Sequence, residues 1–291
     1  MAVVGSINMD LVTNAPRFPR MGETLLGTDF NRFMGGKGAN QAVAAARLGA
    51  DVRMIGAVGD DGFGYEMLTN LDREGVCSDC VKTVQGYSSG IANITVAGGE
   101  NSIVAVSGAN FALTPEDVLA HEETIAGSDV VLSQLEIPME CVITAAKLAQ
   151  KHGRPFVLNP APAQRLPQEL LELTTLLTPN TYELAASLGL PQDMSAEELI
   201  SRSPCPVLMT VGEKGAVYND EQGVLHYVPS FPVMPVDSTG AGDTFNGALA
   251  AALLRDEPLA QAIAWGQAAA ALSVQKLGAQ PSIPDSVAIA A

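Results

Sequence analysis

Short apolar runs alternate with alanine-rich helical patterns along most of the chain. This alternation predicts an α/β fold, a three-layer α/β/α sandwich with a central, mostly parallel β-sheet between helices. The runs point the same way: each is short, apolar throughout and ended by Gly, Pro or polar residues, as strands buried on both faces are. No low-complexity linker or solenoid-period repeat divides the 291 residues, so the chain reads as one domain, 1–291. With 47% hydrophobic residues it has ample material for a core.

Residues 2–5 form the first predicted strand. The stretch 10–34 then breaks the rhythm with Pro16, Pro19 and Gly22, and carries short extended runs at 24–26 and 31–33. An alanine-rich helix follows over 38–48, ended by Gly49, a good residue just past a helix end. After a strand at 52–58, residues 88–106 read as a hairpin: strands at 91–96 and 102–106 with a turn at Gly98-Gly99. The stretches 10–34 and 88–106 are read as strands of a small sheet protruding as a lid, the alternative being irregular surface loops. Strands are further predicted at 130–133, 156–159, 176–178 and 207–210, with a helix at 140–152 before Gly153. Ser195 and Glu198 form a capping-box pattern opening a short helix. Residues 216–228 read as a hairpin turning at 220–223, at an edge of the main sheet. Two apolar helices, 243–255 and 259–277, close the pattern, with Trp265, the only tryptophan, in their packing.

Sixteen basic against 32 acidic residues leave a net charge of −16, which argues against nucleic acid and anionic membranes as partners. Any phosphate site must then be built locally, and backbone amides at a helix N-terminus supply one. Cys77 and Cys80 make a C-x-x-C without a second half, and Cys141 and Cys205 stand apart, so reduced thiols are the plain reading. No apolar run is long enough to span a bilayer and no basic region precedes an apolar stretch at the start. The expectation is a cytoplasmic protein.

Four constellations carry candidate chemistry. In the segment 236–247, Gly240 and Gly242 let backbone N–H groups approach an oxyanion at a helix start, where the helix dipole adds positive charge. Asp243 sits there as a candidate base for the proton of an attacking alcohol; a simple helix cap is the competing reading. Gly35-Gly36-Lys37-Gly38-Ala39-Asn40-Gln41 is glycine-rich yet lacks the G-x-x-x-x-G-K-[ST] spacing of a P-loop, and no convincing G-x-G-x-x-G follows the first strand. Asn8, Asp10, Glu136, Asn180 and Glu183 fall at ends of predicted strands, the edge at which open parallel sheets bind ligands. Asn8, Asp10, Asn40 and Glu136 offer the donors and acceptors a polyhydroxy ligand needs. Thr210-Val211-Gly212-Glu213-Lys214-Gly215 follows a strand, with two glycines for close approach and a lysine for a phosphate.

Several of these segments, in order, resemble the ribokinase branch of the PfkB carbohydrate kinase family over nearly the whole chain. They are G-S-I-N-M-D at 5–10, GGKGANQAVAAARLGA at 35–50, Q-L-E at 134–136, LNPAPA at 158–163, T-P-N at 178–180 with Glu183, DSTGAGDTFNGAL at 237–249 and GAQPS at 278–282. The resemblance implies a Rossmann-like α/β/α sandwich with a β-lid that also forms a homodimer contact, and ATP-dependent phosphorylation of D-ribose at O5. It implies Asp243 as general base, with Gly240, Ala241 and Gly242 as anion hole. It places Asn8, Asp10, Gly36, Lys37, Gly38, Ala39, Asn40 and Glu136 on the sugar. Asn180, Glu183, Thr210, Val211, Gly212, Glu213, Lys214, Gly215, Gly242 and Gln267 fall on the nucleotide side, Glu183 being linked to Mg²⁺. It implies a K⁺ site at Asp237, Thr239, Ser273, Lys276, Gly278 and Ser282. Ser238, Gln267, a short segment at 191–206 and a short alanine-rich end at 284–291 depart from the family pattern. A related acceptor (deoxyribose, another sugar or a nucleoside) is the alternative substrate, and a non-catalytic sugar sensor the alternative of another class.

Overall fold

The computed structural model describes residues 1–220, 222–255 and 257–290. The chain enters through β1 (Ala2–Val4), leaves the core along β2 (Asn8–Asn14), returns along β3 (Asp29–Gly35) and turns into α1 (Lys37–Arg47). Next come β4 (Val52–Gly59), α2 (Gly62–Arg73), β5 (Val76–Cys77) and β6 (Val81–Val84), then a second excursion, β7 (Gly90–Ala97) and β8 (Glu100–Val106). Two short helices, α3 (Pro115–Leu119) and α4 (Glu122–Ala126), lead to β9 (Val131–Ser133), α5 (Met139–Lys151), β10 (Phe156–Leu158), α6 (Gln168–Leu173), β11 (Leu176–Leu177) and α7 (Thr181–Leu188). The last third holds α8 (Ala196–Ser201), β12 (Leu208–Thr210), β13 (Ala216–Asn219), β14 (Leu225–Val228), α9 (Ala241–Leu253), α10 (Leu259–Ser273), α11 (Ala279–Ser282) and α12 (Ser286–Ala290).

The core sheet runs β11-β10-β9-β1-β4-β5, with β6 also on β4, and its pairings are parallel. Alternate residues of its strands feed opposite layers. Ala2, Val4, Ile55 and Phe156 pack with α5, α6 and α7, while Val3, Met54, Leu132 and Val157 pack with α1 and α9. At roughly 1.5–3 kcal/mol for each large side chain fully withdrawn from water, these two layers are the main drive to fold. Parallel bridges from Leu177 to Val207 and from Asn180 to Thr210 attach the antiparallel set β12-β13-β14 beside β11, so the hairpin at 216–228 does sit at the sheet edge. Glu221 in its turn, and Ala291 at the end of 284–291, lie outside the described residues.

A separate four-stranded sheet, β3-β2-β7-β8, is made from the two stretches that broke the rhythm. Its boundaries differ from expectation. Asn8 and Asp10 belong to β2 and not to the end of a core strand, because pairing with β3 and β7 begins at Asn8. The run at 24–26 is not a strand: the β2–β3 ladder closes at the Asn14–Asp29 pair, which leaves those residues without a partner strand. Helix α10 ends at Ser273, four residues short of the predicted 277, for a reason that belongs to the site. Among the described residues no helix is long and apolar enough to cross a membrane.

Candidate active site

Two helix N-termini converge above the sheet. Helix α9 starts after Gly240, whose φ of 73° requires glycine, and an added Cβ there would come within 2.9 Å of Ala279 Cβ. Helix α1 starts after Gly36, also at positive φ, where an added Cβ would lie 2.6 Å from the Asn8 nitrogen. Asp243, in the first turn of α9, is 6% exposed. Its Oδ2 accepts from Asn40 Nδ2 and its Oδ1 from Gln41 Nε2, both at 2.9 Å. The first turn of α9 has no side-chain cap, which rejects the reading of Asp243 as a plain N-cap; Ala241 N–H donates to Ser238 O at 3.2 Å.

The predicted sugar-side residues gather beside this carboxylate. Glu136 Oε2 accepts from Ser6 Oγ at 2.6 Å and from Lys37 N–H at 3.0 Å, which ties β9, β1 and α1 at one point. Burial, then the charges of Glu136 and Asp243, push the Asp10 carboxyl up to about 7, against the pull of Lys37. Asp243 is also the main reason the Lys37 ammonium is raised; desolvation opposes it, and Glu136, Glu183 and Asp10 add to it. The carboxyl groups of Asp10, Glu136 and Asp243 thus share one site with the Lys37 ammonium. Asn8 Oδ1 accepts from Asn110 Nδ2 at 2.7 Å, which turns the Asn8 amino group away from Asn110.

On the other side of Gly242 opens an apolar cleft of about 830 Å³, lined by Thr210, Gly212, Glu213, Lys214, Gly215, Gly242 and Gln267 among others, with Phe231, Val233 and Phe245 supplying apolar walls. Gln267 is 6% exposed. Asn180 and Glu183 do not line this cleft. They cap α7 reciprocally: Glu183 N–H donates to Asn180 Oδ1 and Asn180 N–H to Glu183 Oε2, each at 2.8 Å. Burial raises the Glu183 carboxyl, opposed by the Asn180 N–H and by Lys37.

The loop before α9 meets the end of α10. Asp237 Oδ1 accepts from the N–H and the hydroxyl of Thr239, and Oδ2 from Gly278 N–H at 2.8 Å. Burial alone would raise Asp237, yet these donors hold it below the ordinary carboxylate range. Val274 O accepts from both Val236 and Asp237 N–H, and Ser273 O from Lys276 N–H. These bonds draw the chain out of α10 at Ser273, although the apolar pattern runs on to Leu277. Asp237, Thr239, Ser273, Lys276 and Gly278 are therefore close, and Ser282, whose hydroxyl bonds Ala279 O, sits on the adjoining α11. An ionised Asp237 among loop carbonyls is a hard-oxygen donor set that suits a monovalent cation.

Gln41, Gln134 and Asn159 stand inside the segments GGKGANQ, Q-L-E and LNPAPA, where the sequence assigned them no role, and Asn110 lies outside every such segment. Gln41, Gln134, Asn159 and Asn110 are all at most 6% exposed, and each bonds a group far away in the chain. The signal for Gln134 and Asn159 was an amide side chain directly after a strand end.

The family described as pfkB family carbohydrate kinase matches residues 1–286. A ribokinase of Bacillus subtilis (strain 168) is 47% identical over 285 residues, covering 98% of this chain and 96% of its own. A deoxyribokinase of Salmonella typhimurium is 38% identical over 292 residues, covering 98% and 95%. The structure of Arabidopsis thaliana ribokinase complexed with ribose and ATP matches at TM-score 0.91 and 33% identity, covering 99% of this chain and 96% of that one.

Proposed function

The chain belongs to the pfkB family of carbohydrate kinases, and on that premise we propose that it transfers the γ-phosphoryl group of ATP to O5 of D-ribose. The observation that carries this reading is the position of Asp243. Its carboxylate closes the polar sugar-side site and stands one residue from Gly242 in the wall of the nucleotide-sized cleft. Asp10, Asn8, Asn40, Lys37 and Glu136 hold the sugar hydroxyls, with the glycines and Ala39 of the 36–39 turn allowing close approach. Asp243 accepts the O5 proton as O5 bonds to phosphorus and the bond from phosphorus to the leaving ADP oxygen breaks. Charge on the phosphoryl oxygens faces Gly240, Ala241 and Gly242 at the positive end of α9, the Ala241 N–H being shared with Ser238 O.

The nucleotide lies in the apolar cleft against Thr210, Gly212, Glu213, Lys214 and Gly215, with Gln267 beside the base, while Val211 packs behind them on the core. Glu183, which has one carboxylate oxygen outside its capping bond, would hold Mg²⁺ with Asn180, and that ion would offset phosphate charge. Asp237, Thr239, Ser273, Lys276, Gly278 and Ser282 would hold K⁺. That cation would supply fixed positive charge beside the anion hole.

The protruding sheet acts as the lid and as the contact of a homodimer. Cross-strand register places Val12, Ile94 and Ile103 on one face with Asp10 and Ala92, and Ile103 is 55% exposed. A second copy covering this apolar row would close the sugar side.

The test compares ribose, deoxyribose, fructose and adenosine as acceptors, with and without K⁺. Ribose is expected to give the highest kcat/KM, and K⁺ to raise it; a better rate with another acceptor overturns the ribose reading. Deoxyribose is the second reading, favoured by the 38% identity to a deoxyribokinase. A nucleoside fits worse, since the side chains proposed to hold the acceptor, those of Asn8, Asp10, Lys37, Asn40 and Glu136, are all polar.

A further inference from the structure

Gln41 is fully buried and touches no predicted ligand, yet every polar atom of its side chain is engaged. Its Nε2 donates to Asp243 Oδ1 at 2.9 Å and to Asn159 Oδ1 at 3.0 Å, and its Oε1 accepts from Gln134 Nε2 at 2.6 Å. Asn159 Nδ2 continues the chain to Thr178 O at 2.9 Å. An amide has two N–H donors and one carbonyl, so these partners leave Gln41 a single orientation. Gln134, Asn159 and Thr178 directly follow β9, β10 and β11. The amide chain therefore runs along the carboxyl edge of three adjacent core strands and ends on the carboxylate of a helix. Gly5 makes room for it: an added Cβ would lie 2.2 Å from Gln134 Oε1.

We propose that Gln41 is a positioning residue that fixes the rotation of the Asp243 carboxylate, with Asn159 and Gln134 transmitting the rigidity of the sheet to it. Asn40 alone holds one oxygen and leaves the carboxylate free to turn about that contact. The second donor, itself pinned on two sides, removes the turn and keeps a fixed lone pair toward the acceptor hydroxyl. The proposal rests on the reading of Asp243 as the base.

Steady-state kinetics with ribose and ATP test it on Gln41→Met, Asn159→Ala, the double variant and Asp243→Asn. In Gln41→Met, kcat is expected to fall about 10- to 100-fold, with both KM values within about threefold of the parent. Asn159→Ala is expected to lower kcat about threefold, and the double variant to be no slower than Gln41→Met, as residues acting through one another are non-additive. A kcat for Gln41→Met near the parent value overturns the proposal, as does a loss confined to KM or additive losses in the double variant. If Gln41→Met does not fold, Asn159→Ala decides alone, by a fall in kcat without a rise in KM. Asp243→Asn separates the two readings: turnover retained there removes the base itself, whereas an inactive Asp243→Asn beside a fully active Gln41→Met removes only Gln41.

Discussion

Asp243 takes both of its close hydrogen bonds from neutral amides, those of Asn40 and Gln41. Asp243→Asn keeps the shape and loses the proton acceptor; turnover is expected to fall by about three orders of magnitude or more, with ribose affinity within about tenfold, as calorimetry would read. Near-normal turnover would remove Asp243 from the role of base. Asp10 makes a different prediction. Folded, it keeps its proton up to about pH 7, whereas an unfolded aspartate releases it near 4. The ligand-free protein thus has this contribution in full below pH 4 and loses it as pH rises through 7. Asp10→Asn is expected to remove that decline and to stabilise the ligand-free protein at pH 8 by about 2–4 kcal/mol, measured by urea titration at pH 5 and 8. The titrating residues were legible in the sequence because they stand inside motifs. Asn110 stands outside them, and Gln41, though inside GGKGANQ, showed no role there: the partners of Gln41 and Asn110 lie 202 and 103 residues away, and only folding brings them together.

At the level of elements, the packing of α1 against α9 sets the distance from the amide donors to the Asp243 carboxylate. Gly247 makes this contact; an added Cβ would fall 2.5 Å from both Ala44 Cβ and Gln41 O. Gly247→Ala must push the helices apart, and is expected to cost about 1–3 kcal/mol in thermal or urea unfolding and to lower kcat more than KM. Helix α1 was readable from its alanine run and Gly49. The end of α10 was not, because nothing in its apolar periodicity announces that Val274 O and Ser273 O will be claimed by N–H groups from other residues. Strands β5 and β6 escaped as well. Val76–Cys77 is too short to show a period, and half of Val81–Val84 faces solvent.

For the whole molecule, the alternation of strands and helices was enough to foresee a parallel sheet between helical layers, but not the strand order, which depends on which crossovers pack. The lid was visible as a break in that rhythm; its parallel β2–β7 pairing, between segments far apart in sequence, had no local signal. The proposed dimer gives a test at this scale. Ile103→Lys puts a charge into the apolar row and is expected to yield monomers by light scattering, with a raised KM for ribose. A variant that stays dimeric with an unchanged KM moves the contact elsewhere. The bond between Gln41 and Asp243 also bears on how the protein is made, because it joins positions 202 residues apart. A ribosome releases the sugar-side amides long before the carboxylate they hold. Until α9 emerges and docks, the amide row has donors with nothing to grip, and the nascent chain can handle neither sugar nor nucleotide productively. On the proposed role of Asp243, competence arrives late in synthesis: a chain halted before residue 243 would hold every strand of the core sheet and lack its base.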